Sequence, residues 1–433
     1  MTAEVAILNK AAVVLASDSA MTLGESGKVY PTNKLFTLSK YHPVGVMVYN
    51  NAEFMGVPWE TLVKMFREQL GHEDLPTVND YVEAFFNFLL TAPICDAAQR
   101  ESNLLRIAED LFGEIRIRAV HQLQDLFNTK GRYSTRDISQ ALSASVDACI
   151  NYCVGLNSCS ALDTLDVDRL LRSHRNQLSD CADHVFSGFQ LSQAFRRKLT
   201  LALASFIRSK DVSDGSSSVV VAGFGADELF TTLAEIETDG VLGDRLKHEI
   251  IRSVDIGRAS TKASIIPFAQ SEMVHRFMEG VDYEFLDYLG NSAEQLLYQF
   301  GKEVLDAHSP LSGARKRWVL KGLRSAAQKR IEAFSQDAQA FRRQKFVTPI
   351  TEIVAHLPKE ELASMAETLV GLTSLKRRVS AEQETVGGPV DVAVISKGDG
   401  FVWIKRKHYF NPQLNPQFLH NYFYRTDHAE NTP

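Results

Sequence analysis

Short strand-like hairpins occur at the start, in the middle and at the end of this 433-residue chain, and long helical stretches separate them. The first two hairpins pair Glu4–Leu8 with Ala12–Ala16 and Lys34–Leu38 with Val44–Tyr49 across short polar turns. Further strands are predicted at Val219–Phe224, Leu229–Ile236, Ala263–Phe268, Val390–Ser396 and Phe401–Lys405, with a turn at Asp239-Gly240. Because strands this far apart in sequence need common sheets to bury their apolar faces, the pattern favours an α+β layered domain with helical insertions.

Helical periodicity fills the segments between the hairpins, for example where Trp59, Leu62 and Phe66 recur on one face. We therefore expect a single domain over residues 2–408. Its core would comprise residues 2–92, 215–280 and 351–408, with a helical insertion at 93–214, a basic helical insertion at 281–350 and a tail at 409–433.

The amino-acid composition argues against several classes of function. Apolar residues make up 45% of the chain, charged residues 23%, and the net charge is −6, so neither a nucleic-acid partner nor a membrane surface is expected. Apolar runs are too short for a transmembrane helix, and the N-terminal residues do not resemble a signal peptide, which favours a cytoplasmic protein. The five cysteines fit no common zinc motif, so free thiols are expected and no metal or cofactor is assigned.

The opening segment MTAEVAILNKAAVVLASDSAMTLG places Thr2 directly after Met1 and just before a strand. Removal of Met1 is expected because threonine is small, and it would leave the Thr2 hydroxyl beside a free α-amine. Such an amine has a pKa of about 7.7–8.0 and is partly neutral near physiological pH, so it can accept the hydroxyl proton. Thr2 is therefore a candidate N-terminal nucleophile.

Asp18 and Lys34 continue this pattern, because successive members of the series Thr2, Asp18 and Lys34 are 16 residues apart. If their strands are neighbours in one sheet, the three side chains meet at one edge, where Lys34 would stabilise negative charge on the Thr2 oxygen and Asp18 would orient Lys34. Backbone N–H groups near Tyr49, Asn50 and Asn51 are the candidate oxyanion donors. Taken singly, each of these residue types is also common in purely structural positions.

The segment VVLASDSAMTLG resembles the signature of proteasome β-type subunits, and NKLFTLSKYHPVGVMVYNNAEF resembles the strand and hairpin that follow it there. ETVGGPVDVAVISKGDGF and VVVAGFGADELFTTLAEIETDG are similar to later segments of the same family, which includes the bacterial ATP-dependent two-component peptidase. The resemblance covers about residues 2–92, 215–280 and 355–408, whereas the two insertions have no counterpart in it.

This resemblance implies an N-terminal nucleophile hydrolase with a four-layer αββα sandwich, threonine peptidase activity and assembly into a homo-oligomeric ring or partial ring. It also implies catalytic roles for Thr2, Asp18 and Lys34, and substrate-binding roles for Thr22 and Gly24. Accessory roles fall near Ser271 (or Gln270), Glu384 and Thr385. A separate ATPase or adaptor would be needed to unfold protein substrates, since the chain has no phosphate-binding Gly-x-x-x-x-Gly-Lys loop.

Two other functions stay open on the same residues. The first is a non-peptidase amidohydrolase with a small amide as substrate, because a fold does not fix its substrate. The second is a catalytically inactive proteasome-like scaffold or interaction protein. The stretch at Val48–Ala52, where the family has a glycine-rich segment, and the bulky insertions favour this second alternative.

Overall fold

The computed structural model describes residues 2–23, 28–92, 95–257, 261–308, 313–380, 386–408, 410–417 and 420. Its strands are β1 (Ala3–Asn9), β2 (Val13–Ser17), β3 (Ala20–Leu23), β4 (Lys28–Pro31), β5 (Leu35–Thr37), β6 (Val44–Tyr49), β7 (Glu53–Phe54), β8 (Val57–Pro58), β9 (Ser217–Gly223), β10 (Thr232–Leu242), β11 (Arg245–Asp255), β12 (Ala263–Ala269), β13 (Asp391–Ser396) and β14 (Gly400–Lys405). Its helices are α1 (Trp59–Leu70), α2 (Val78–Thr91), α3 (Ala97–Lys130), α4 (Thr135–Gly155), α5 (Val167–Ser173), α6 (Arg175–Val185), α7 (Gln193–Arg208), α8 (Glu272–Glu279), α9 (Tyr283–His308), α10 (Gly313–Arg342), α11 (Thr348–Val354) and α12 (Lys359–Val379).

Two five-stranded antiparallel sheets organise these elements. The first sheet has the strand order β12-β1-β2-β13-β14, and the second has the order β11-β10-β9-β6-β5. Each sheet therefore unites strands from distant parts of the sequence, and the expected hairpins β1–β2, β5–β6 and β13–β14 are all present. The α+β class predicted from the sequence is confirmed.

Alternating side chains explain how the sheets pack. On β1, Val5 and Ile7 lie in a core with α8, α11 and α12, whereas Ala6 and Leu8 lie in a core shared with residues of the second sheet. The opposite face of the second sheet packs on α1 and α2, where Trp59, Phe66 and Phe85 are buried. Because successive side chains point to opposite faces of a strand, each sheet is covered on both sides.

The predicted turn at Asp239-Gly240 is wrong. β10 continues through these residues to Leu242, and the chain reverses only at Gly243-Asp244 before the unpredicted strand β11. The register between β10 and β11 shifts at Thr238–Gly240, and Gly240 has a φ of 85°. A glycine that relieves a β-bulge produces the same local sequence signal as a glycine in a turn.

The first insertion forms a helical subdomain of α3 to α7 with its own apolar core, in which Phe112, Phe195 and Leu203 are buried. It joins the second sheet through polar contacts: the Asn103 side chain donates hydrogen bonds to the carbonyl oxygens of Asp239 (2.8 Å) and Val241 (3.2 Å).

The second insertion contains the paired helices α9 and α10, which expose large apolar side chains such as Tyr288, Phe300 and Trp318. Ala327 is the buried residue of α10. Among the described residues, no helix is long and apolar enough to cross a membrane.

Candidate active site

Thr2 lies at the edge of the first sheet, immediately before β1, and only 4% of its surface is exposed. Its carbonyl oxygen accepts a hydrogen bond from the backbone N–H of Gln270 (3.0 Å), which follows β12. Asp18 follows β2, the neighbour of β1 on the other side, and its N–H donates to the carbonyl oxygen of Ala3 (3.0 Å). The start of the described chain is therefore held in the sheet between two strands.

The Thr2 hydroxyl lies in a hydrogen-bonded triangle with Asp18 and Lys34. Thr2 Oγ1 donates to Asp18 Oδ1 over 2.6 Å, and Lys34 Nζ donates both to Thr2 Oγ1 and to Asp18 Oδ1, the latter over 2.6 Å. Asp18 is fully buried and Lys34 is 7% exposed. The structure thus brings together the three residues that the sequence spacing singled out.

Lys34 reaches this triangle from the second sheet, not from the first. It precedes β5, and its carbonyl oxygen accepts a hydrogen bond from the N–H of Val48 on β6 (2.9 Å). The three side chains therefore meet without the condition considered from the sequence, in which all three strands would be neighbours in one sheet. β2 and β5 instead face each other across the interface between the sheets, so the site spans this interface.

The Asp18 carboxylate is held by backbone N–H groups in addition to the two side chains. Oδ1 accepts from Ala3 N (3.2 Å), and Oδ2 accepts from Ala20 N (3.3 Å) and from Gly387 N (2.9 Å). Each of these donors stabilises negative charge on the carboxylate. The arrangement fixes both oxygens of Asp18 and points one of them at Lys34 and Thr2.

A pocket of about 70 Å³ opens beside this triangle, and its lining includes Thr2, Lys34, Tyr49, Asn50 and Asn51. The candidate oxyanion residues therefore share a cavity with the candidate nucleophile. Asn50 has a φ of 68°, a left-handed conformation that asparagine tolerates better than most residues, and its side chain donates to Ser218 Oγ (3.0 Å). Asn51 donates to the Gly215 carbonyl oxygen (3.0 Å). The two amide side chains are thus occupied in fixing the loop.

Tyr49 is buried, and its hydroxyl donates to the carboxylate of Glu235 on β10. Burial, together with the negative charge of Glu235, raises the pKa of the Tyr49 phenol. Arg252 Nε lies 3.3 Å from the other oxygen of Glu235. Tyr49 is therefore a neutral wall of the pocket, held in position by an ion pair behind it.

Ser271 and Gln270 occupy different positions relative to Thr2. Gln270 is joined to Thr2 through the backbone hydrogen bond described above, and its side-chain oxygen accepts a hydrogen bond from the Arg377 guanidinium. Ser271 is half-buried at the start of α8, and within the described residues it has no hydrogen bond to Thr2. Of these two candidate accessory residues, Gln270 is therefore the one with a described hydrogen bond to Thr2.

The remaining predicted site residues lie wholly or partly outside the described part of the chain. Gly24, Glu384 and Thr385 lie outside the described residues, as does the side chain of Thr22. Their predicted roles stay predictions.

Glu4 is a site residue that the sequence analysis missed. It is fully buried, and its Oε1 lies 3.4 Å from Thr2 Oγ1, at the long end of the hydrogen-bond range. Burial raises the pKa of the Glu4 carboxyl well above its ordinary value, as does the charge of Asp18, whereas Lys34 lowers it. A sequence signal was present: Thr2, Glu4, Ala6 and Leu8 alternate along β1, so Glu4 is a charged residue at an inward-facing position.

Comparisons with known proteins give little support for assigning a family. No family model matches the chain, and no curated protein matches it. Among solved structures, one match is a chain of the helical assembly of the Anbu complex from Pseudomonas aeruginosa, with 10% sequence identity and a TM-score of 0.31. The alignment covers 100% of this chain and 97% of that chain. A TM-score this low carries no argument about the fold or the function.

Proposed function

We propose that this protein is a proteasome-like N-terminal threonine hydrolase that cleaves amide bonds, with peptides as substrates. The observation that carries the proposal is the triangle of Thr2, Asp18 and Lys34 at the wall of a pocket. A buried lysine whose ammonium donates to a hydroxyl stabilises the negative charge that develops on that oxygen during attack. The proposal requires a free α-amine on Thr2, and therefore cleavage of the Met1–Thr2 peptide bond.

Each step of the proposed reaction balances with groups on this chain and one water. Thr2 Oγ forms a bond to the carbonyl carbon of the substrate while its proton passes to the α-amine of Thr2. The C–N bond then breaks as the resulting ammonium donates its proton to the leaving amine. Water attacks the Thr2 ester and gives a proton to the α-amine, and the ester C–O bond breaks as that proton returns to Oγ. Lys34 stabilises the charge on Oγ, and Asp18 holds Lys34 in place.

Backbone N–H groups at Asn50 and Asn51 are the proposed oxyanion donors. Both residues line the same pocket as Thr2, and their side chains are anchored to Ser218 and Gly215. Among the described residues, the backbone N–H of Asn51 has no hydrogen-bond acceptor. A donor that is fixed in advance and unoccupied is what stabilisation of a tetrahedral intermediate requires.

The proposal extends to the architecture and the assembly. The two packed sheets with helices on their outer faces support an αββα sandwich of the N-terminal nucleophile type, with residues 93–214 and 281–350 as insertions in a single domain. A homo-oligomeric ring or partial ring, with a separate ATPase or adaptor, is proposed on the family resemblance of the sequence alone.

The size of the pocket favours a second candidate function, hydrolysis of a small amide. A volume of about 70 Å³ holds a few water molecules or one small side chain, so a short substrate fits without an extended cleft. The products separate the two functions, because a peptidase releases a ladder of fragments from a denatured protein, whereas a small-amide hydrolase releases one amine and leaves the protein intact.

Intact-mass measurement before and after treatment with a β-lactone probe tests the proposed nucleophile. We expect a mass without Met1 and one covalent adduct, which peptide mapping places on Thr2. Thr2→Ala should abolish the adduct. Thr32→Ala is the matched control, because Thr32 lines the same pocket but is not part of the triangle. It should keep the adduct.

Two results would contradict the proposal. One is a wild-type protein that retains Met1 and forms no adduct, since the base would then be missing. The other is an adduct that persists in Thr2→Ala, which would place the reactive group elsewhere.

A further inference from the structure

Glu4 is the one acidic side chain besides Asp18 that contacts the Thr2 hydroxyl in the described part of the chain. It is fully buried, and its Oε1 lies 3.4 Å from Thr2 Oγ1. Its second oxygen, Oε2, has no hydrogen-bond partner among the described residues and is shielded from solvent. Burying an ionised carboxylate with an unpartnered oxygen costs far more free energy than burying a neutral carboxylic acid in the same place.

The register of the first sheet shows what surrounds Glu4. Its direct cross-strand neighbours are Ser17 on β2 and Phe268 on β12, and residues opposite each other in register share a face. Ser17 Oγ is also buried and has no partner among the described residues. Neither neighbour supplies a positive charge, so the sheet itself does not compensate a charge on Glu4.

Charged groups on the other elements around Glu4 are already paired. Lys34 is paired with Asp18, and Asp391 on β13, which lies opposite Ser17, is paired with Lys407. In the second sheet, Glu235 is paired with Arg252 and accepts the Tyr49 hydroxyl. Lys34 is thus the cation that both Glu4 and Asp18 influence, and a second negative charge would compete with Asp18 for it.

We infer that Glu4 works as a neutral acid beside the nucleophile, and that its ionisation switches Thr2 off. In the neutral form the carboxyl can donate a hydrogen bond towards Oγ1. With the Thr2 α-amine also neutral, as attack requires, the buried site then contains one positive charge on Lys34 and one negative charge on Asp18. In the ionised form the site gains a net negative charge, which disfavours further negative charge on Oγ1 and slows attack. The inference rests on the proposed function and adds a pH-dependent control to it.

The rate of Thr2 acylation by the β-lactone probe, measured against pH, tests this inference. For the wild-type protein we expect the rate to fall on the alkaline side by about tenfold per pH unit, as it does when an essential acid ionises. Glu4→Gln has the same shape and cannot ionise, so the alkaline fall should move to higher pH or disappear. Glu4→Met, which is also uncharged and of similar length, repeats the test if the amide is not tolerated.

Glu237→Gln is the matched control. Glu237 is a half-buried carboxyl on β10 whose pKa is also raised by burial, but no hydrogen bond links it to Thr2 in the described residues. Its removal should leave the alkaline fall unchanged. A second, activity-independent readout is the infrared band of a protonated carboxyl, which should be present in the wild-type protein at neutral pH, vanish on alkalinisation and be absent from Glu4→Gln.

The outcomes distinguish this inference from the proposed function. An alkaline fall that is identical in wild type and Glu4→Gln, or a wild-type protein without the Glu4 band at neutral pH, overturns the inference alone. A wild-type protein that is not acylated at any pH overturns the proposed function, and with it the switch, even if the infrared band identifies a neutral Glu4.

Discussion

Within the described residues, the Lys34–Asp18 and Lys247–Asp239 pairs are both buried, but they differ in what surrounds them. Lys34 and Asp18 are separated by 2.6 Å, and Lys247 and Asp239 by 3.0 Å, with all four side chains largely or fully buried. Burial and charge therefore do not distinguish the two pairs from each other. The groups that contact each pair do distinguish them.

The second pair is saturated by structural partners. Lys247 Nζ also donates to the carbonyl oxygen of Asp211 (2.5 Å) and lies 4.1 Å from the centre of the Phe206 ring. Asp239 Oδ1 accepts from both the N–H (2.9 Å) and the hydroxyl (2.7 Å) of Ser213. The pair thus joins the helical insertion to the second sheet. In the first pair, by contrast, Lys34 donates to the hydroxyl of Thr2, which lines a pocket.

This comparison teaches that a buried ion pair is weak evidence for catalysis by itself. A reactive third partner and space for a substrate are the features that favour a functional reading. The two pairs should therefore differ in function as they differ in surroundings.

The largest difference is expected when each lysine is replaced. Lys34→Met should slow acylation of Thr2 by about 10²–10⁴-fold, because it removes the cation beside the attacking oxygen. Lys247→Met should leave the rate per folded molecule close to that of wild type. Probe labelling of both variants, normalised to the folded fraction measured by circular dichroism, checks this. Equal losses of rate in the two variants would abolish the distinction between the pairs.

Replacing Lys247 should instead lower the stability of the folded protein. Lys247→Met leaves Asp239 buried without its cation and should lower the free energy of unfolding by about 3–5 kcal/mol. The double variant Lys247→Met with Asp239→Leu should recover much of that loss, because it removes the unpaired charge as well. Urea unfolding of the three proteins measures the effect. A double variant that is no more stable than Lys247→Met would contradict this account.

A smaller loss of stability is expected when the hydrogen bond behind the pocket wall, between Tyr49 and Glu235, is removed. Tyr49→Phe removes the hydroxyl that donates to Glu235 and should lower the free energy of unfolding by about 1–3 kcal/mol, because a buried carboxylate oxygen loses a donor. Acylation of Thr2 should persist, since the phenol is not part of the triangle. Urea unfolding and probe labelling together measure this. A loss of labelling as large as that of Lys34→Met would make Tyr49 part of the reactive group.

The smallest effect is expected from the second carboxyl beside each pair, which is Glu4 next to Lys34 and Asp18, and Asp211 next to Lys247 and Asp239. The pKa of Glu4 is raised in the folded state, so its favourable contribution to stability is complete below the ordinary glutamate pKa of 4.5 and is lost as the pH rises through the folded-state value. Glu4→Gln should therefore gain stability relative to wild type as the pH rises above about 4.5.

Asp211→Asn provides the comparison for that pH series. Burial also raises the pKa of Asp211, but this side chain is only half-buried, so its gain with pH should be smaller. Melting temperatures measured across the acidic and neutral range check both variants. A larger gain for Asp211→Asn than for Glu4→Gln would show that the Thr2 site tolerates an ionised Glu4.

Local sequence patterns predicted the parts of the fold that depend on local rules. The hairpins β1–β2, β5–β6 and β13–β14 have short polar turns between apolar runs, so each is encoded by neighbouring residues. β11 was missed because its hairpin partner β10 contains a bulge at Gly240, and a bulge glycine is indistinguishable from a turn glycine in a single sequence.

The candidate site was predictable in its residues but not in its construction. Even spacing selected Thr2, Asp18 and Lys34, but it could not assign Lys34 to the second sheet, because spacing along a chain does not distinguish adjacent strands from facing ones. Glu4 was included in a predicted strand and given no role, although its alternation with Ala6 and Leu8 marks it as inward-facing. Its contact with Thr2 is local, because residues two apart on a strand share a face. Its proximity to Lys34, by contrast, depends on packing of the second sheet over the first, which no local pattern specifies.

Gly387 has a consequence for the order in which the protein matures. Its N–H is one of the donors that hold Asp18, and its carbonyl oxygen accepts from the N–H of Ser19 (3.2 Å), although the two partners lie at opposite ends of the sequence. During synthesis on the ribosome, Thr2 and Asp18 emerge first, but the last donor to Asp18 emerges only after residue 387 has been translated. The hydrogen bonds around Asp18 are therefore incomplete until that late segment has been synthesised and has folded back onto the first sheet.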